Sequence, residues 1–93
     1  MRIIKPTSQF KKDYKREQKG KHKKTIAEDL KETLTFLVKD KPLPKSYFDH
    51  PLTGEWKDCR DCHIKPDLIL IYRKKGESSL DLIRLGSHSE LGL

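Results

Sequence analysis

Three histidines and two aspartates, His50, Asp61, His63, Asp67 and His88, stand beside or at the ends of the segments best suited to burial. An imidazole titrates near pH 6.5, so it can both accept and donate a proton at neutral pH. A neighbouring carboxylate fixes which ring nitrogen carries the hydrogen. The chemistry such a set could perform is proton transfer to and from a substrate oxygen. Four of the five lie between Asp49 and Tyr72, which also holds Trp56, both cysteines and the longest apolar run, Leu68 to Ile71. Each has a plainer reading. A lone strand histidine is usually a hydrogen-bonded surface residue, Asp61 is open to pairing with Arg60 or Lys65, and His22 lies in a basic lead-in with no role assigned.

Cys59-Arg60-Asp61-Cys62-His63 also matches the haem-attachment pattern C-x-x-C-H. Alternation along a strand would turn the two thiols to opposite faces, and the apolar volume for a haem is missing. Zinc held by Cys59, Cys62, His63 and His50 meets the same obstacle and lacks a second ligand pair. A bulge near Asp58 would be needed to bring the thiols together. No cofactor and no metal are therefore expected.

The elements that must position these residues follow from periodicity. Arg2 to Lys5 reads as a short strand ended by Pro6. Thr7 and Ser8 offer N-cap oxygens for a helix from about Gln9 to Lys19, with Phe10 and Tyr14 as its apolar stripe and Gly20 as its stop. Ile26, Leu30, Leu34, Leu37 and Val38 recur on one face of a second helix, ended by Pro42 and Pro44, with Thr25 and Glu28 at capping-box spacing. Three strands are then expected, Glu55 to Ile64 (broken near Asp58), Leu68 to Lys74 and Ser79 to Leu85, joined by turns at Lys65-Pro66 and Lys75-Gly76-Glu77. Short links favour an antiparallel meander. The predicted fold class is α+β, one domain over residues 1–93, with an N-terminal helix hairpin packed on a small antiparallel sheet. Alternation puts Cys59, Asp61 and His63 on one face, with Asp61 and His63 about 7 Å apart. Trp56, Tyr72 and the phenylalanines are expected mostly in the core.

A chain of 93 residues buries only about 60–65% of its unfolded surface. Its charged fraction of 38% exceeds its hydrophobic fraction of 33%, yet the apolar residues cluster periodically, so the composition is not that of a disordered chain. No apolar run approaches the roughly 18 residues needed to cross a membrane. Met1-Arg2-Ile3-Ile4 runs straight into Lys5-Pro6, which gives no signal-peptide apolar region, so a cytoplasmic chain with free thiols is expected. From Met1 to Lys41, thirteen Lys and Arg stand against six Asp and Glu; from Pro42 to Leu93 the counts are equal. A basic first half suits an acidic partner, nucleic acid or protein, and equally suits solvated helix faces.

At these residues the sequence resembles the YafQ branch of the RelE superfamily of bacterial toxins. The resemblance is carried by Asp49-His50-Pro51-Leu52, Gly54, Trp56-Lys57, Arg60-Asp61, His63, Pro66-Asp67 and the strand to Tyr72, then Arg84-Leu85-Gly86-Ser87-His88. It implies a ribosome-associated messenger-RNA endoribonuclease, monomeric when free and neutralised in a hetero-oligomer by a cognate antitoxin. By position it makes His50, His63, Asp67 and His88 catalytic, with Asp61 in support. The family's aromatic residue just after the last histidine is absent; here the chain reads Leu91-Gly92-Leu93.

RNA carries its own nucleophile, the 2′-OH beside the scissile phosphate. The expected scheme needs no metal: His88 is the general acid, His50 or Asp67 the base, His63 positions the phosphate or tunes its neighbours, and Asp61 holds a tautomer. Arg84, Arg60 and Lys57 are the expected phosphate contacts, Arg84 foremost. Two other readings compete: a ParE-like toxin that binds gyrase without cleaving RNA, and a small basic RNA-binding module. A binder has no need of the histidines, and the module would call for more surface aromatics.

Overall fold

The computed structural model describes residues 1–93. Its elements are β1 (Ile3–Pro6), α1 (Ser8–Gln18), α2 (Ile26–Val38), β2 (His50–Pro51), β3 (Arg60–Lys65), β4 (Leu68–Lys75), β5 (Ser79–Gly86) and α3 (His88–Leu91), with single 3-10 turns at Lys45–Tyr47 and Gly54–Trp56. The sheet order is β1-β5-β4-β3-β2. The predicted meander is β3-β4-β5, but the sheet is mixed, because β1 runs parallel to β5 with Ile4 opposite Leu80.

Thr7 begins α1 by accepting from the Phe10 N–H at 3.1 Å, while its own hydroxyl donates to the Ile83 carbonyl. Such a cap stabilises by about 1 kcal/mol. Phe10 and Tyr14 stack with ring centroids 6.2 Å apart. On α2, Ile26, Leu30 and Leu37 are buried as the periodicity requires. Thr25 caps that helix without a side-chain hydrogen bond, so the expected capping box is not formed. Both helices cover one face of the sheet, where Phe10, Ile26, Leu30 and Leu37 meet Leu68, Leu70, Tyr72, Leu80, Leu82 and Leu85. Each fully buried aliphatic side chain contributes about 1.5–3 kcal/mol.

The opposite face carries a smaller cluster of Cys59, Ile69, Ile71 and Leu91, flanked by Leu52, Trp56 and Ile83. Cys62 lies on the helix-covered face. Neither C-x-x-C reading therefore finds its two thiols together. The strand expected from Glu55 begins only at Arg60. Gly54 takes a φ of +67°, Glu55 and Trp56 turn in a 3-10 loop, and the Cys59 N–H closes onto the Trp56 carbonyl at 2.8 Å.

One tie fastens α1 to β5. Asp13 is fully buried and accepts from Arg84 Nε at 2.8 Å, the Leu85 N–H at 3.0 Å, Arg16 Nη1 at 3.0 Å and Gln9 at 3.2 Å. Burial pushes its carboxyl up, but the hydrogen bonds from Arg84, Leu85 and Gln9 outweigh it and hold the group below the usual range. Gly86 lets these side chains approach: a Cβ there would meet Arg16 Nη2 at 2.9 Å and Glu90 Oε1 at 3.1 Å, so a larger residue would push the ends of both aside.

Candidate active site

The short strand β2 pairs with β3 so that His50 lies opposite Asp61. Asp61 and His63 lie opposite Ile71 and Ile69 in the β3–β4 ladder, so they share the sheet face away from the helices. A register shift between His63 and Lys65 precedes the turn that carries Asp67. At the end of β5, Ser87 and Glu90 form a reciprocal capping box, at 2.9 and 3.2 Å, which fixes His88 at the start of α3. Four separate elements thus deliver one residue set to one end of the sheet.

His63 and His88 pack edge to face with centroids 5.2 Å apart. His88 Nδ1 lies 2.9 Å from Asp67 Oδ1, and the same oxygen accepts the His88 backbone N–H at 3.2 Å. The His88 ring, then its backbone, hold the Asp67 carboxyl below its usual range, and Lys21 adds a smaller pull. An ionised carboxylate only accepts, so His88 Nδ1 carries a hydrogen and Nε2 is the ring's working atom.

His50 Nδ1 lies 2.7 Å from the Phe48 carbonyl oxygen and 3.0 Å from Asp61 Oδ1. Its N–H is directed to the carbonyl, so Asp61 Oδ1 stays buried beside the imidazole without a hydrogen bond. Nε2 of His50 is therefore the atom left with a free lone pair in the neutral ring. Asp61 is 3% exposed, and burial pushes its carboxyl up. The fields of His50 and His63, and more weakly His88, oppose that rise. The three imidazoles surround one poorly solvated carboxylate.

The expected phosphate contacts are placed differently from the sequence reading. Arg84, expected foremost, gives Nε and Nη2 to Asp13, so its charge is tied to the α1–β5 joint. Arg60 gives Nε and Nη2 to Asp49, which also accepts from the Tyr72 hydroxyl. That arrangement anchors the residue before His50. Asp61 pairs with neither Arg60 nor Lys65, because Lys65 reaches Asp29. Lys57 is exposed and makes no ion pair.

Two features escaped the sequence reading. Lys21, in the link between the helices, lies close enough to Asp67 to act on it. Phe48, expected with the core aromatics, is 65% exposed and sits edge to face on His63 at 5.6 Å. Its φ of +48° is left-handed, which for a bulky residue costs about 1–2 kcal/mol. Pro44 ahead of the Lys45–Tyr47 turn hinted at a tight loop there; nothing in the residue types signalled the exposure.

A family model described as the bacterial toxin of a type II toxin–antitoxin system, YafQ, matches residues 2–92. The mRNA interferase toxin YafQ of Escherichia coli (strain K12) is 44% identical over 91 residues, spanning 97% of this chain and 95% of that protein. The crystal structure of YafQ from E. coli strain BL21(DE3) superposes with a TM-score of 0.85 at 39% identity, covering 98% of each chain. YafQ in the E. coli DinJ–YafQ complex superposes at 0.79 with 37% identity, again covering 98% of each chain.

Proposed function

The chain belongs to the YafQ family of bacterial type II toxin–antitoxin toxins, and from that premise we propose that it is an mRNA interferase, cutting messages by acid–base catalysis without a metal. The observation that carries the reading is the pair of imidazoles held through Nδ1, His50 on the Phe48 carbonyl and His88 on Asp67, with both Nε2 atoms left for substrate.

The two rings differ in a way that assigns their roles. We assign His88 as the general acid, because its Nδ1 is held by the exposed Asp67 carboxylate and its Nε2 is left open to the leaving oxygen. We assign His50 as the base, because its Nδ1 hydrogen goes to the Phe48 carbonyl and its Nε2 is the atom left to take the 2′-OH proton. Asp67 is engaged by His88, so it orients the acid and is not the base. The 2′-oxygen attacks phosphorus, the P–O5′ bond breaks, and His88 protonates the departing 5′-oxygen. The products are a 2′,3′-cyclic phosphate and a 5′-hydroxyl. His63, half-buried between Phe48 and His88, contacts the phosphate as its charge builds. Asp61 stabilises whichever imidazole is charged. Each proton transfer supplies about 10²–10⁴-fold. Of the three expected phosphate contacts Lys57, Arg60 and Arg84, Lys57 is the unpaired cation and contributes positive field around the message, while Arg60 and Arg84 are engaged by Asp49 and Asp13.

The partners follow from the family and the charge. A cognate antitoxin neutralises the toxin, as the complex of the E. coli relative with DinJ supports. The basic first half, thirteen cations against six acids, docks on ribosomal RNA, so association weakens steeply with salt. The deciding experiment expresses the wild type, His50→Ala and His88→Ala in bacteria. Growth arrest with message cleavage is expected for the wild type alone; arrest without cleavage, or cleavage undiminished in a folded His88→Ala protein, would overturn the reading.

A further inference from the structure

Among the phenylalanines, tyrosines and tryptophan only Phe48 is exposed, and it stands at the histidine cluster. Three observations about it converge. The residue is 65% exposed although a phenylalanine side chain has much apolar surface to gain by burial. Its backbone is held at a φ of +48°, a region where Asn or Gly would be at ease. Strain of this kind persists where the surrounding structure over-determines it and gathers at ligand sites. Finally, the ring opens onto a groove of about 750 Å³, lined by Pro44, Tyr47, His63, Lys65 and Pro66 among others.

The same residue serves both histidine neighbours. Its carbonyl takes the His50 Nδ1 hydrogen at 2.7 Å, and its ring meets the His63 ring edge to face at 5.6 Å. The phenyl is thus in contact with His63 while most of the residue stays exposed. A groove with an exposed phenylalanine, a second aromatic residue at Tyr47 and the prolines Pro44 and Pro66 fits one unpaired base. The other candidates are unsuited: Tyr72 and Phe10 are buried, and Leu91 is buried against Ile69 and Ile71.

We propose that Phe48 and the groove beside it seat one base of the RNA, stacked on the phenyl ring, next to the phosphate on which His50 and His88 act. The inference rests on the nuclease reading above and adds a substrate contact to it. Stacking tolerates any base, so Phe48 sets affinity and the placement of the scissile bond more than sequence preference.

The test measures message cleavage in a bacterial translation extract as a function of toxin concentration. Four variants are compared with the wild type: Phe48→Ala, Phe48→Leu, Phe48→Trp and Phe48→Asn. Phe48→Ala should raise the half-maximal concentration roughly 5- to 100-fold, whatever it does to the limiting rate through His50 and His63. Phe48→Trp should restore it, and Phe48→Leu, apolar but without a π-face, should not. Phe48→Asn suits the positive φ and folds at least as well as the wild type, yet should be as weak as Phe48→Ala. A ring that only positioned His50 and His63 would instead lower the limiting rate and move the pH profile. Cleavage by Phe48→Ala equal to wild type, or full rescue by Phe48→Leu, would overturn the stacking proposal alone. A wild type that cuts no message would overturn the nuclease reading with it.

Discussion

Asp13 and Asp61, two of the three buried aspartates, are treated in opposite ways. Asp13 is surrounded by four donating groups, Arg84, Leu85, Arg16 and Gln9, and its carboxyl is held low. Asp61 has one oxygen with no hydrogen bond, its carboxyl is pushed up by burial, and its neighbours are three titratable rings. The first is a joint between α1 and β5. The second is a charge left uncompensated where imidazoles can compensate it. Burial alone does not separate a structural carboxylate from a functional one; the count of satisfied oxygens does.

The largest effect expected at the Asp61 end is on rate. His88→Ala should lower cleavage by about 10²–10⁴-fold with little change in melting temperature, because the side chain is half exposed. At the other end the largest effect is on stability. Asp13→Ala should cost about 3 kcal/mol or more, since it strands Arg84 and the buried Leu85 N–H, while the variant that remains folded keeps its catalytic pH profile. Denaturant unfolding beside a cleavage assay reads both, and a destabilised His88→Ala with normal kcat would erase the distinction.

The pH dependences should also part. The Asp13 pKa is depressed in the folded state, so its contribution is present above the unfolded value near 3.9 and is lost as pH falls through the lower folded value. Acid unfolding should therefore lose part of its steepness in Asp13→Asn. The Asp61 pKa is raised, so ionised Asp61 lowers stability as pH rises through its folded value, and Asp61→Asn should unfold no more easily at neutral pH. Removing that charge disfavours the imidazolium forms, so the acid limb of the rate profile should shift to lower pH. The smallest effect is at Phe48. Phe48→Asn should gain about 1 kcal/mol by relieving the left-handed strain, measured by thermal unfolding.

The two regions were not equally legible in the sequence. Ile26, Leu30 and Leu37 announce α2 because helix periodicity and burial coincide. The histidines could be placed because they sit at element ends, where short turns leave few ways to arrange β3, β4 and β5. Asp13, flanked by Lys12 and followed by Lys15 and Arg16, looks like a solvated residue, and only the approach of β5 across the chain makes it a hub. Arg84 was misplaced for the same reason. Glu55-Trp56-Lys57 alternates like a strand, but Gly54 at φ +67° and the closure onto the Trp56 carbonyl bend it into a turn. Parallel pairing of β1 to β5 is a long-range choice that no local pattern encodes.

The most direct test is the chemistry of the new RNA ends. Purified protein cutting a message on ribosomes should leave a 2′,3′-cyclic phosphate and a 5′-hydroxyl, and His88→Ala should leave neither. A 3′-hydroxyl with a 5′-phosphate, or cyclic ends formed as fast by His88→Ala, would contradict acid–base cleavage by this histidine cluster.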